Sequence, residues 1–210
     1  MRRTGPKTGL LGGSFNPAHR GHRKISLAAI DALGLDEVWW LVSPGNPLKP
    51  VEGMAPLAAR AASARAAARR APIRMTAIER ELGTRYTIDT LRALRRRFPA
   101  RRFVWIMGAD NLAQFHRWKD WRGIARTVPI AVFARPGYAA KAFSSPAMAW
   151  MRRYRVRPGE LSEGALPQMA WIAFDPDPSS ATALRRDNPA WASDYAGSQP
   201  RDAVTGRVID

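Results

Sequence analysis

The sequence predicts an α/β fold, a parallel sheet of about six strands doubly wound by helices on its two faces. Three observations predict it. Short apolar runs alternate with segments of helical periodicity along most of the chain. Those runs are apolar at nearly every position, as strands covered on both faces require. The first run ends in Gly12 and Gly13 and passes straight into a helical pattern, the β-turn-α unit from which such sheets are built.

The elements follow in order. "TGLLGGSF" is a buried strand ending in glycines, and "HRGHRKISLAAIDAL" is a helix with Ile25, Leu27 or Ala28, Ala29 and Leu33 in register and Gly34 as its stop. "EVWWLVSP" is the second strand, leaving through the Pro- and Gly-rich loop "GNPLKPVEGMAP". An Ala/Arg helix runs from Leu57 to Arg70, "IRMTAIE" is the third strand, and "TIDTLRALRRRF" is a helix with Ile88, Leu91 and Leu94 on one side. "RFVWIMGAD", "VPIAVFARPG" and "QMAWIAFD" supply strands four to six, with the aromatic "NLAQFHRWKDWRGIA" read as one helix between the first two. The stretch from Tyr138 to Pro167 is irregular, an insert or a helix plus loop at the sheet edge. The pattern is Rossmann-like and places residues 1–192 in a single domain, with 193–210 expected to be a loose polar tail.

Composition bounds the function. With 210 residues the chain can bury a core unaided, and with no cysteine it has neither disulfides nor thiolate metal sites. No apolar run approaches the roughly 20 residues that cross a bilayer, and the basic N-terminus breaks on glycines rather than forming a signal-peptide core, so a cytoplasmic setting without a membrane partner is expected. The 34 Lys and Arg against 17 Asp and Glu give a net charge of +17, which calls for an anionic partner without saying whether it is nucleic acid or a phosphorylated small molecule. The arginine runs themselves read as solvated helix faces.

The stretch from Leu10 to Ala28, "LLGGSFNPAHRGHRKISLA", holds two of the three histidines. In an open parallel sheet the turn after the first strand is the usual phosphate seat. Gly12 and Gly13 let backbone approach a phosphate, a helix starting near Ala18 or His19 aims free N–H groups at the same place, and Pro17 fits just before it. His19 and His22, three apart, then share a face of the first turn. The stretch lacks the G-K-[ST] of a Walker loop and the G-x-G-x-x-G fingerprint, and no cysteine or acidic cluster completes a metal site, so no protein-held metal is expected.

"GGSFNPAHRGH" resembles the G-x-F-x-P-x-H-x-G-H signature of the nucleotidyltransferase superfamily, with Gly13, Phe15, Pro17, His19, Gly21 and His22 at its fixed positions. The resemblance implies transfer of a nucleoside monophosphate from an NTP to a phosphate-bearing acceptor, with His19 and His22 on the triphosphate. "SSATALR" is similar to the superfamily's S-[ST]-T-x-x-R motif, giving Ser180, Thr182 and Arg185, with Ala181 where a hydroxyl is frequent. Their reading without the motif is helix capping for Ser180 and Thr182 and surface charge for Arg185.

"YTIDTL", "GADNLAQFHRW" and "ARPG" are similar to the nicotinate-nucleotide adenylyltransferases, and the likeness spans most of residues 8 to 186. It implies ATP as substrate, with Mg²⁺ carried on it, and nicotinate mononucleotide as acceptor. By that resemblance His19, His22 and Arg185 are catalytic, while Gly12, Gly13, Ser14, Phe15, Gly108, Asp110, Ser180 and Thr182 meet ATP. Lys49, Tyr86, Thr87, Trp118 and Arg135 meet the mononucleotide. Packing for Trp118 and capping for Asp110 and Asp89 are the alternatives, and His116 reads as structural. The rival functions are a related transferase using nicotinamide mononucleotide or phosphopantetheine, and a basic nucleic-acid-binding protein on the same fold, against which the intact signature argues. Assembly into a homo-oligomer stays open.

Overall fold

The computed structural model describes residues 5–45 and 53–210. In chain order it contains β1 (Lys7–Gly13), α1 (Arg20–Leu33), β2 (Glu37–Val42), α2 (Leu57–Ala68), β3 (Ile73–Thr76), α3 (Ile78–Leu82), α4 (Thr87–Arg97), β4 (Arg102–Gly108) and α5 (Ala109–Gln114). The second half adds α6 (Trp121–Thr127), β5 (Ile130–Phe133), α7 (Ala139–Phe143), α8 (Pro146–Met151), β6 (Met169–Ile172) and α9 (Ala181–Asp187). The six strands form one sheet in the order β3-β2-β1-β4-β5-β6, every neighbouring pair parallel.

That order makes the adjacent strands β1 and β4 the point where the winding reverses. In such sheets a crevice opens beyond the carboxyl ends of the two strands at the reversal. Gly13 ends β1 and Gly108 ends β4, so both glycine positions singled out in the sequence reach the crevice.

Successive strand side chains point to opposite faces, which explains the paired tryptophans of β2. Trp39 enters one apolar cluster with Leu10, Phe103 and Met107, while Trp40 enters the other with Leu11, Val104 and Ile106. Each indole N–H is satisfied where it is buried, Trp39 by Glu37 and Trp40 by Ser26 of α1, both at 2.8 Å. On α2 the small residues Ala61, Ala64 and Ala68 face the second cluster.

Three segments differ from the sequence expectation. A short α3 follows β3 where only strand was read. The aromatic stretch after β4 is not one helix: it breaks into α5, a 3-10 turn over Phe115–Arg117, and α6. The break lies at Asp120, in the left-handed region with φ 45°, whose carboxylate caps α6 through the Gly123 N–H at 3.1 Å. It lets both Trp118 and Trp121 meet Phe115 edge-on, with ring centroids 5.4 and 5.8 Å away. The irregular stretch from Tyr138 carries α7 and α8, which pack against α5.

The third difference is a correction: residues 193–210 are docked rather than loose. Trp191 is buried where the 3-10 turn Trp191–Tyr195 meets α2, and Ile209 joins the second cluster. Between them Asp202, also buried, accepts from the Thr76 hydroxyl and the Ala77 N–H, both at 2.8 Å, and from the N–H groups of Val204 and Thr205. The segment is polar because it attaches through hydrogen bonds to the end of β3. Replacing Asp202 with Ala strands those donors, and the expected loss is about 2 kcal/mol in urea unfolding, the scale of buried polar groups left without partners; unchanged stability would mean that the segment is not held.

Candidate active site

The site is built from the two glycine-ended strands outward. Gly12 can carry no side chain, because a Cβ there would lie 2.7 Å from the Trp105 ring, which closes the floor beside it. Beyond β1 the chain runs through Ser14, Phe15 and Asn16 to His19, and four side chains hold this loop in place. Phe15, with φ 48°, buries its ring between His22, 4.6 Å away, and Trp40, stacked at 5.1 Å. Only the backbone of Phe15 is therefore left to meet a ligand. Asn16 accepts from the Ala55 N–H at 3.2 Å and donates to the Gly53 carbonyl at 2.9 Å. Arg185 of α9 donates to the Asn16 carbonyl.

The fourth side chain is Arg60, which the sequence reading had placed among solvated arginines. It is 2% exposed and donates to the carbonyls of Ser14 (2.8 Å), Ser43 (2.6 Å) and Ala55 (2.9 Å). Burial lowers its pKa to about 10, still well above neutrality, so a guanidinium ties the loops after β1 and β2 to the start of α2. Nothing in the repeating Ala/Arg pattern distinguishes Arg60 from its neighbours.

His19 is the N-cap of α1 and His22 its third residue, one step later than the sequence suggested. Each ring caps the other's turn: His19 Nδ1 accepts from the Gly21 N–H at 3.1 Å, and His22 Nδ1 accepts from the His19 N–H at 3.2 Å. An Nδ1 that accepts carries no proton, so each neutral ring carries it on Nε2. Burial lowers the pKa of His19 to about 4, the Asp177 carboxylate pulling it upward and the Arg135 guanidinium downward. His22 falls to about 3, through burial first and then the neighbouring His19 and Arg135. Both are neutral N–H donors at pH 7.

The C-terminal motif meets this turn. A Cβ on Gly21 would lie 2.9 Å from the His19 ring and 3.4 Å from the Ser179 carbonyl, so the start of α9 packs directly on the start of α1. Ser180 caps α9 through the Ala183 N–H at 3.1 Å, Ala181 is its first residue, and Thr182 Oγ1 lies 3.5 Å from the Arg185 guanidinium. Gly108 is the N-cap of α5, and Asp110 folds back over it to pair with Arg135 at 2.9 Å. Arg135 follows β5, beside β4, and its guanidinium lies on the histidine side of the crevice.

That other cluster lines a cavity of about 420 Å³. Gly12, Gly13 and Ser14 form one wall, Tyr86 and Thr87 another, and Trp118 and Trp105 a third, their rings edge-to-face at 6.2 Å. Thr87 is the first residue of α4, whose N-cap Tyr86 makes no side-chain cap, so the helix start retains free N–H groups. Lys119 lies 4.4 Å from the Tyr86 ring centroid and pairs with Asp89 at 3.0 Å. Glu79, Arg85, Asn111, Gln114 and Arg117 also line the cavity and were not anticipated; only the fold brings them together. The predicted residues therefore form two neighbouring groups, the histidine cluster and the cavity, joined by the loop from Gly12 to Asn16. Lys49 lies outside the described residues. His116, read as structural, is in the turn after α5. Among the described residues no cluster of three or more His, Cys, Asp or Glu is disposed to hold a metal, and no helix is long and apolar enough to cross a membrane.

Comparison with known proteins places this geometry. The model of the cytidylyltransferase-like family matches residues 10–187. A probable nicotinate-nucleotide adenylyltransferase of Erythrobacter litoralis is 64% identical over 97% of this chain and 94% of its own. One of Cereibacter sphaeroides with the same name is 53% identical over 84% of this chain and 95% of its own. Among solved structures, a nicotinic acid mononucleotide adenylyltransferase of Plasmodium falciparum, complexed with NaAD, superposes with a TM-score of 0.66 at 14% identity, covering 87% of this chain and 83% of that one. At that identity the likeness is one of fold.

The depressed histidine pKa values have a direct test. In the free protein the ¹⁵N signals of His19 and His22 are expected to remain those of neutral Nε2–H rings from pH 8 to about 5; a transition near 6.5 in both would contradict the capping geometry. In the unfolded chain the same rings take up protons below about 6.5, so this pair's contribution to stability falls as pH drops from there toward 4 and is recovered as pH rises.

Proposed function

The chain belongs to the cytidylyltransferase-like nucleotidyltransferases and, within them, to the nicotinate-nucleotide adenylyltransferases, and on that footing we propose that it transfers AMP from ATP to nicotinate mononucleotide. The products are pyrophosphate and deamido-NAD (nicotinate adenine dinucleotide), a step of NAD biosynthesis. The observation that carries the reading is the continuity of the Gly12–Asn16 loop, which flanks the imidazole pair at one end and walls a cavity with Tyr86, Thr87 and Trp118 at the other.

The reaction is an in-line attack by a phosphate oxygen of the mononucleotide on the α-phosphorus of ATP. The P–O bond to the β-phosphate breaks and the electron pair leaves with pyrophosphate. The attacking oxygen is ionised at neutral pH, so the protein needs no side-chain nucleophile and no general base. Its work is to align two polyanions and to stabilise charge on the non-bridging and leaving oxygens.

The Nε2–H groups of His19 and His22 donate to phosphate oxygens. Arg185, already within reach of Thr182 and the Asn16 carbonyl, adds a fixed positive charge, while Arg135, its charge offset by Asp110, is placed to meet the mononucleotide phosphate or the groove leading to it. Gly12, Gly13, Ser14 and the Phe15 backbone seat the nucleotide, with Gly108 and Asp110 on its adenosine side and Ser180 at the start of α9. ATP enters as its magnesium complex, the ion held by triphosphate oxygens and water.

The acceptor occupies the cavity. Trp118 offers a face to the pyridine ring, Tyr86 frames it, and Thr87 with the open start of α4 receives the carboxylate. Lys49 serves as a mobile cation for the mononucleotide phosphate. The protein acts on small molecules in the cytoplasm, and its basic surface suits anionic substrates.

Two measurements test this. Pyrophosphate release is expected with ATP and nicotinate mononucleotide, and to be far weaker with nicotinamide mononucleotide or phosphopantetheine; turnover favouring either of those acceptors overturns the assignment. His19→Ala is expected to lower kcat about a hundredfold or more with a smaller change in KM for ATP, the scale of losing one donor to a developing charge. Near-normal turnover would remove His19 from the mechanism.

A further inference from the structure

Among the described residues the cavity is lined by one carboxyl, that of Glu79 on the short α3, to which the reaction above gives no part. Its Oε1 accepts from the Thr90 hydroxyl at 3.0 Å, and Thr90 Oγ1 also lies 2.9 Å from Thr84 Oγ1 and 3.3 Å from the Tyr86 carbonyl. On its other side the carboxyl meets the Ser43 hydroxyl. Ser43 Oγ also lies 2.7 Å from the Gly45 carbonyl.

We propose that Glu79 is a positioning residue for the acceptor half of the cavity: through Thr90 its carboxyl braces the start of α4, which carries Tyr86 and Thr87, and in its neutral form it admits a pyridine that carries a carboxylate. The inference rests on the function proposed above. The acceptor brings a carboxylate and a phosphate into a confined space, and an ionised Glu79 would add a further negative charge there. Burial pushes its pKa up to about 7, the bonds from Thr90 and Ser43 opposing.

Arg85, Arg117 and Lys119 share the cavity with Glu79, as does the Tyr86 phenol. On its own helix Arg80 pairs with Asp210 and Glu81 with Arg97. From α4, Asp89 pairs with Lys119.

The test is steady-state kinetics of the full chain and two variants, Glu79→Gln and Glu79→Ala, between about pH 6 and 8.5, with each substrate varied. In the wild type, KM for nicotinate mononucleotide is expected to rise as pH passes through about 7, while KM for ATP changes little. Glu79→Gln, permanently neutral and still able to accept from Thr90, is expected to keep the low KM and lose the rise, and it also controls for titration of the substrate's own phosphate. Glu79→Ala is expected to raise the acceptor KM about tenfold at every pH, the effect of one lost hydrogen bond in a buried network.

A Glu79→Gln enzyme with the wild-type pH dependence overturns the inference, as does a folded Glu79→Ala enzyme with an unchanged acceptor KM. If Glu79→Ala does not fold, the pH series of Glu79→Gln alone decides. A wild type that releases no pyrophosphate from this acceptor overturns the underlying function, and the inference with it; an active wild type with either overturning result in the variants overturns the inference alone.

Discussion

Two main-chain N–H groups at the start of α1 determine how the signature histidines can act. By accepting from Gly21 and His19, the two Nδ1 atoms fix the orientation of both rings and leave the Nε2 protons free. The rings rest uncharged in a half-buried place, so the free protein does not carry two adjacent cations without a counter-ion. Under the proposed function, an arriving triphosphate would raise their affinity for protons, most strongly where charge accumulates on the leaving oxygens. Donors that strengthen as the reaction proceeds are what a transfer without a protein nucleophile requires.

That arrangement depends on a loop that cannot drift. The reversal of strand order delivers Gly13 to the crevice, but the chain between Gly13 and His19 belongs to neither strand nor helix. It is held from beneath by the Phe15 ring, from one side by Arg60 and the Asn16 carboxamide, and from the other by Arg185. Arg60 reaches the loop after β2 as well, so the loops after β1 and β2 share one brace. A buried guanidinium satisfied by carbonyls costs more to desolvate than an apolar residue would, and its fixed fork joins three segments at once. Arg185 couples the far end of the sequence to the same loop, and glycine at position 21 is what lets α9 approach.

Much of this was legible in the sequence, and the residues that were not share a reason. The sheet and its helices were readable because the strands are largely apolar and α1 and α4 each keep one apolar side. The signature histidines stood out by spacing beside a glycine turn, and the cavity residues Tyr86, Thr87 and Trp118 by family likeness. Arg60 was hidden because its burial comes from three carbonyls contributed by segments far apart in the chain. Glu79 and Trp105 look like an ordinary helix-surface acid and an ordinary strand tryptophan until the fold brings both to the cavity. The docked end was misread because Asp202 and its partners are polar, and composition cannot tell a hydrogen-bonded segment from a solvated one.

The arginine of α9, the two imidazoles and the glycine-ended strand are parts of a single anion site only if one triphosphate touches them all. A crystal structure with a non-hydrolysable ATP analogue measures this directly. The account predicts triphosphate oxygens within hydrogen-bond distance of the Nε2 atoms of His19 and His22 and of the Arg185 guanidinium, with the α-phosphorus open toward the Trp118 cavity. A triphosphate bound elsewhere, or bound with both Nε2 atoms facing away from it, would contradict the account.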